Sequence, residues 1–158
     1  MKREILYRGK CKETGKWVEG YYYAECGCYY IIKNCQIKSE IMRNIPYKII
    51  PETVGQYTGL KDRNGKMVFE GDIVSYNDPI FCSADPSQVH IGTVEWKQGG
   101  FIVMRKKITG TFPAVHNIPE EKYEKIVNEF GERLNQNDKY EVIGNIHDNR
   151  NLLEVKHA

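Results

Sequence analysis

The sequence predicts a mostly β protein: a small SH3-like barrel, a smaller N-terminal β lobe and one late α-helix over 119–134. Three observations carry that expectation. Apolar and polar residues alternate with a period of two along most of the chain, in segments rich in tyrosine, valine and isoleucine, as half-buried strands require. Glycines punctuate those segments at the corners where a small barrel must bend. Only PEEKYEKIVNEFGERL carries helical spacing.

The elements follow in order. KWVEGYYYAE and CYYIIK alternate as strands, and Cys26-Gly27 between them reads as a tight turn. Asn64-Gly65 in DRNGK predicts a type I′ hairpin turn, whose two central residues both need positive φ. CKETGKWVEG and LKDRNGKMVFEG look like two copies of one device: lysine, acidic residue, turn glycine, lysine, apolar pair, Glu-Gly. Two hairpins solving one problem explain this at least as well as duplication. DIVSY is a short strand, and a loop with Pro79 and Pro86 follows it. HIGTVEW and FIVMRKK then read as strands about a Gly99-Gly100 turn. In the expected helix, Pro119 suits the first turn and Glu120 and Glu121 suit the positive end of the dipole. Tyr123, Ile126, Val127, Phe130 and Leu134 share one face of it. YEVIGNI is the last strand, and NLLEV docks the tail. Inward positions are Ile73, Val74, Val94 and Trp96, then either Phe101 with Val103 or Ile102 with Met104, and finally Val142 and Ile146. The whole chain, 1–158, is expected to be one domain, with a β lobe at 1–50 and the barrel with its inserted helix at 51–158.

Composition narrows the function classes. With 41% hydrophobic and 28% charged residues the chain is globular, not disordered. No apolar run is long enough to span a membrane, and MKREILYRGK has no signal-peptide core, so a soluble, non-secreted protein is expected. The net charge is +2, with 10 Lys/Arg against 5 Asp/Glu in residues 1–50 and 6 against 9 in residues 111–158. That gradient is too mild to define a polyanionic partner on its own. Cys11, Cys26, Cys28, Cys35 and Cys82 form an odd set without a signal peptide, as reduced thiols do. Cys26 and Cys28 are one residue apart, no matching second pair exists, and no histidine precedes His90; structural zinc sites are built differently. No metal and no cofactor are expected.

The remaining chemistry points to binding. Gly55, Gly59, Gly65 and Gly71 sit at strand ends with no helix following, so they are turn residues and not a phosphate loop. His90, His116, His147 and His157 are scattered, and Asp62, Glu70 and Asp72 are expected to hold turns, so the chain is not expected to be an enzyme. The favoured reading is a non-catalytic protein-interaction module using aromatic strands, with Tyr22 and Tyr29 as candidate contacts. Its rival is a nucleic-acid-binding barrel with Lys61, Arg63, Lys66, Arg105, Lys106 and Lys107 as candidate contacts. The identity of the partner and the oligomeric state stay open at this level.

One long stretch, IIPETVGQYTGLKDRNGKMVFEGDIV, resembles the YopX family of phage and prophage proteins, and YEVIGNIHDN resembles it again. REILYRGK with TGKWVEG, GTVEW and the closing EVIGNIHDNRNLL extend the likeness over nearly the whole chain, the 119–134 helix least. The resemblance implies a mostly β protein with an SH3-like barrel, phage- or prophage-encoded and working in a bacterial cytoplasm. It implies no catalytic or binding residue.

Overall fold

Alternation of side chains across pleated strands organises the computed structural model, which describes residues 4–33, 46–76, 89–97, 99–109, 132–133 and 140–154. The protein is mostly β, with two antiparallel sheets and short 3-10 turns. It divides into two compact units, Met1–Gly59 and Leu60–Ala158. The first takes in most of a strand that begins at Gly55.

The sheet of the first unit has the order β4-β3-β2-β1-β5, built from β1 (Tyr7–Lys10), β2 (Trp17–Glu25), β3 (Cys28–Lys33), β4 (Pro46–Lys48) and β5 (Gly55–Lys61). Cys26 and Gly27 both have positive φ, 50° and 72°, and they join the paired residues Glu25 and Cys28. That is the two-residue turn whose twist matches its strands. On the inner face Cys11, Val18, Ile31 and Ile49 form a closed cluster, with Tyr7, Tyr22, Tyr47 and Val54 packed against it. A 3-10 turn at Pro51–Thr53 leads into β5. The Thr53 hydroxyl ties it down, donating to the Ile50 carbonyl at 2.7 Å and accepting from the Lys10 N–H at 2.8 Å.

The second unit holds a sheet of order β10-β9-β8-β7-β11, made of β7 (Asp72–Tyr76), β8 (Val89–Lys97), β9 (Gly100–Thr109), β10 (Glu132–Arg133) and β11 (Glu141–Asn145). Ahead of it β6 (Met67–Phe69) follows the turn at 62–66. Val68, Val74, Tyr76, Val94, Phe101, Val103, Tyr140 and Val142 form its core. Phe101 and Val103 belong to that cluster, yet Ile102 and Met104 on the opposite face of β9 are buried as well.

Several expectations need correction. Trp96 is not a core residue: its register beside Phe101 puts it on the inward side, but it lies at the end of β8, beyond the core, and is 48% exposed. It keeps an edge-on contact with Phe101, ring centroids 4.8 Å apart. Within the expected helix, Glu132 and Arg133 are a strand paired with Val103 and Ile102. The open edge of β9 offers them backbone partners, and such pairing overrides a local helical preference. Residues 119–131 and 134 lie outside the described residues, as does the proline loop, 77–88. Finally, Gly100 is already in β9 and pairs with Lys97, so the β8–β9 turn sits one residue earlier than the Gly-Gly spacing suggests.

The Asn64-Gly65 turn is also of another type. Gly65 has φ of 79° and Asn64 has a negative one, and the Gly65 N–H donates to the Asp62 carbonyl at 2.9 Å. The Asp62 N–H donates to the Lys66 carbonyl at 2.8 Å, closing a three-residue hairpin loop in which a type I turn ends on a left-handed glycine. The similar CKETGK segment closes differently, with the Gly15 N–H reaching the Cys11 carbonyl four residues back. Gly65→Val is therefore expected to lower stability by about 1–2 kcal/mol, the cost of a left-handed non-glycine residue. An unchanged thermal melt would remove the left-handed assignment.

Candidate functional site

Two surfaces were expected to carry function, and the structure treats them differently. Lys61 is exposed at the end of β5, and Lys66 is exposed after the turn. Arg63 forms an ion pair with Glu141, and its N–H donates to the Tyr140 carbonyl at 3.0 Å. Lys106 pairs with Glu95 at 3.3 Å, and Lys97 pairs with the same carboxylate at 2.9 Å. Burial raises the Glu95 pKa, but hydrogen bonds from Lys97 and Thr93 and the charge of Lys106 outweigh it and hold the carboxyl below its usual range. Two of the six basic candidates are thus already matched by carboxylates. Arg105 and Lys107 lie in β9 opposite Gly92 and Ile91, and their side chains are outside the described residues.

The acidic residue of that turn has a structural task. The Asp62 carboxylate is buried and accepts three backbone N–H bonds, from Asn64 at 2.8 Å, Lys66 at 2.9 Å and Val142 at 3.0 Å. The turn is thereby fastened to β11. Asp72 is likewise buried and accepts from the Phe69 N–H at 2.8 Å. His90 is buried beside the Tyr76 ring, 5.4 Å between centroids. Among the described residues no group of three or more His, Cys, Asp or Glu side chains is placed to hold a metal.

The tyrosines of the first sheet divide by strand alternation. Tyr22 and Tyr29 are not open contacts, since both are half-buried on the inner face, and Tyr22 packs against the core cluster. Their rings stack 6.3 Å apart, with Tyr7 5.2 Å from Tyr22 on the other side. Burial, then the neighbouring Tyr29 and Tyr7 hydroxyls, raise the Tyr22 pKa. The one-residue offset puts Trp17, Glu19, Tyr21, Tyr23 and Glu25 on the outer face. Cross-strand pairing adds Arg8 and Lys10 from β1, Tyr30 from β3 and Lys48 from β4 to that face.

This outer face has an aromatic centre with a charged surround. The Arg8 guanidinium lies over the Trp17 ring at 4.9 Å, and the Lys10 ammonium lies 5.6 Å from its centroid. Tyr23 and Tyr30 stack at 5.1 Å with planes 17° apart. A hydrogen bond with the Cys28 side chain is the largest influence raising the Tyr30 pKa. Tyr21 is 50% exposed. Glu19, Glu25 and Lys48 are exposed around these rings. Sequence alternation alone separates residues 21 and 23 from residue 22; what it lacks is which of the two faces the core covers.

The family model described as YopX protein matches residues 6–154. The chain belongs to the YopX family. This YopX chain is also similar to a solved structure, the crystal structure of protein EF1440 from Enterococcus faecalis. The identity is 22%, the TM-score 0.51, and the match covers 97% of this chain and 100% of that one. At that identity the likeness shows a shared β fold. No curated protein matches the chain. Among the described residues no helix is long and apolar enough to cross a membrane.

Proposed function

We propose that this YopX protein is a non-catalytic protein-interaction module, acting on a host or phage protein in a bacterial cytoplasm through the outer face of its first sheet. The observation that carries the reading is the composition of that face: Trp17, Tyr21, Tyr23 and Tyr30 run along it, with exposed Glu19, Glu25 and Lys48 around them and the buried Arg8 guanidinium packed on the Trp17 ring. Tryptophan and tyrosine are among the residue types that dominate binding energy at protein interfaces. A nucleic-acid backbone laid on the same face would meet Glu19 and Glu25, and Arg63 and Lys106 are already engaged elsewhere. The non-catalytic part is supported by Asp62 and Asp72, whose carboxylates accept backbone N–H bonds and hold turns. A pulldown from the bacterial host with nuclease treatment tests the proposal. Capture of a protein is expected to survive nuclease and to be lost with Tyr21→Ala, while circular dichroism stays that of the folded chain. Capture that disappears with nuclease, or is untouched by Tyr21→Ala, would overturn it.

A further inference from the structure

We infer that the partner protein meets this face with a short acidic segment, whose carboxylates sit on Lys12 and Lys48. The inference rests on the reading of the face as a protein-binding surface and names the chemistry of its partner.

Lys12 and Lys48 come together because the first sheet curls until β4 meets the continuation of β1. The Lys12 N–H donates to the Lys48 carbonyl at 2.8 Å, and the Ile50 N–H donates to the Lys10 carbonyl at 2.9 Å. Between those two bonds Cys11 and Ile49 form an antiparallel bridge, and both belong to the inner cluster. One position on, Lys12 stands opposite Lys48, and alternation turns both to the outer face. Both are exposed there. Lys48 is in turn opposite Tyr30, and Tyr30 is opposite Tyr23. One row therefore crosses the sheet: two lysines, then two stacked tyrosines.

Like charges directly opposite one another across an antiparallel pair destabilise it. Among the described residues no carboxylate forms an ion pair with either lysine. A ligand that relieves this repulsion brings negative charge, and beside it an apolar group to cover the Tyr30 and Tyr23 rings. Glu19 and Glu25 limit how far the negative charge extends. Both are exposed on β2, Glu19 opposite Arg8 and Glu25 opposite Cys28. A continuous polyanion following the row onto β2 would run between them. A segment with carboxylates over the lysines and an apolar side chain over the tyrosines puts no charge there.

Fluorescence anisotropy of the full chain with two labelled peptides tests this. One carries adjacent glutamates beside a phenylalanine, and the other has lysine in place of each glutamate. Only the acidic peptide is expected to bind, and more weakly as salt rises. Lys12→Glu and Lys48→Glu should each lower its affinity about tenfold or more, since each sets a negative charge against it. Each also turns a like-charged cross-strand pair into an opposite one, so the melting temperature should rise as binding falls. A variant that had merely lost its fold would lose both. An acidic peptide that fails to bind at low salt, a basic peptide that binds as well, or affinity indifferent to both substitutions would each overturn the inference. So would a lower melting temperature in both variants, because the lysines would then not face one another. A labelled oligothymidylate that outcompetes the acidic peptide and is lost with Lys48→Glu would overturn it in favour of phosphate. If the peptide fails while Tyr21-dependent capture of a host protein persists, only the acidic chemistry falls and the protein-binding reading stands.

Discussion

Phe69→Ala is expected to destabilise the protein by about 3–5 kcal/mol, the range for truncating a fully buried aromatic ring. Phe69 is 1% exposed, at the end of β6, and its N–H is held by the Asp72 carboxylate, so the backbone cannot easily collapse into the space left behind. Against a total stability of about 5–15 kcal/mol, that loss leaves little. Trp96→Ala is the paired control. Although it is the larger side chain, it should cost only about 0.5–1.5 kcal/mol, the worth of its edge-on contact with Phe101. Denaturant melts of the two variants check the order; a costlier Trp96 variant would mean that β8 runs deeper into the core than its register shows.

Asp62→Ala is expected to cost about 2–4 kcal/mol, because the buried Val142 N–H loses its acceptor and the N–H groups of Asn64 and Lys66 must turn to water. The same carboxylate makes stability depend on pH. Burial pushes its pKa up, but the backbone N–H bonds from Val142, Lys66 and Asn64 outweigh burial, and the folded-state value lies below the ordinary one. For a depressed carboxyl the stabilisation is complete above the unfolded value of about 3.9 and fades as pH falls through the lower folded value. The wild type should therefore lose stability over that acid range, while Asp62→Ala, starting lower, should lose less. Parallel thermal melts from neutral to acid pH measure the difference. Equal acid slopes for the two proteins would show that other carboxylates set the acid limit.

Much of the fold was legible because it depends on period and punctuation. The alternation of DIVSY, GTVEW and GFIVM is the alternation of β7, β8 and β9, and Val74 and Val94 share the core face as that pattern requires, while Ile73 is buried on the opposite one. Cys26-Gly27 was readable as a turn because it separates two alternating runs by two residues. Most of the misses depended at least in part on a partner distant in sequence. Trp96 has the right parity and the wrong depth, since depth depends on where the core ends. Glu132 and Arg133 follow the pairing offered by β9, which lies some thirty residues earlier in the chain. Asn64-Gly65 suits a type I′ turn, but Asp62 selects another by accepting the N–H groups of Asn64 and Lys66 and, across the unit, of Val142. At the candidate site, sequence parity put Tyr21 and Tyr22 on opposite faces, and only the position of Ile31 and Val18 shows which of them is covered.

The fastening of the 62–64 turn to β11 also bears on solubility. β11 is the outermost strand of its sheet, and an outermost strand with unsatisfied backbone groups invites another chain to add to it. Here the N–H of Val142 is taken by a carboxylate and the carbonyl of the neighbouring Tyr140 by the Arg63 N–H, so a side chain and a turn stand where an intruding strand would bind. The Asn145 N–H is taken in the same manner by the Asn149 side chain at 3.3 Å. A chain lacking Asp62 would then fail in two ways at once: it would be less stable, and each molecule that remained folded would present a sticky margin to its neighbours, precipitating on concentration at temperatures well below its own melting point.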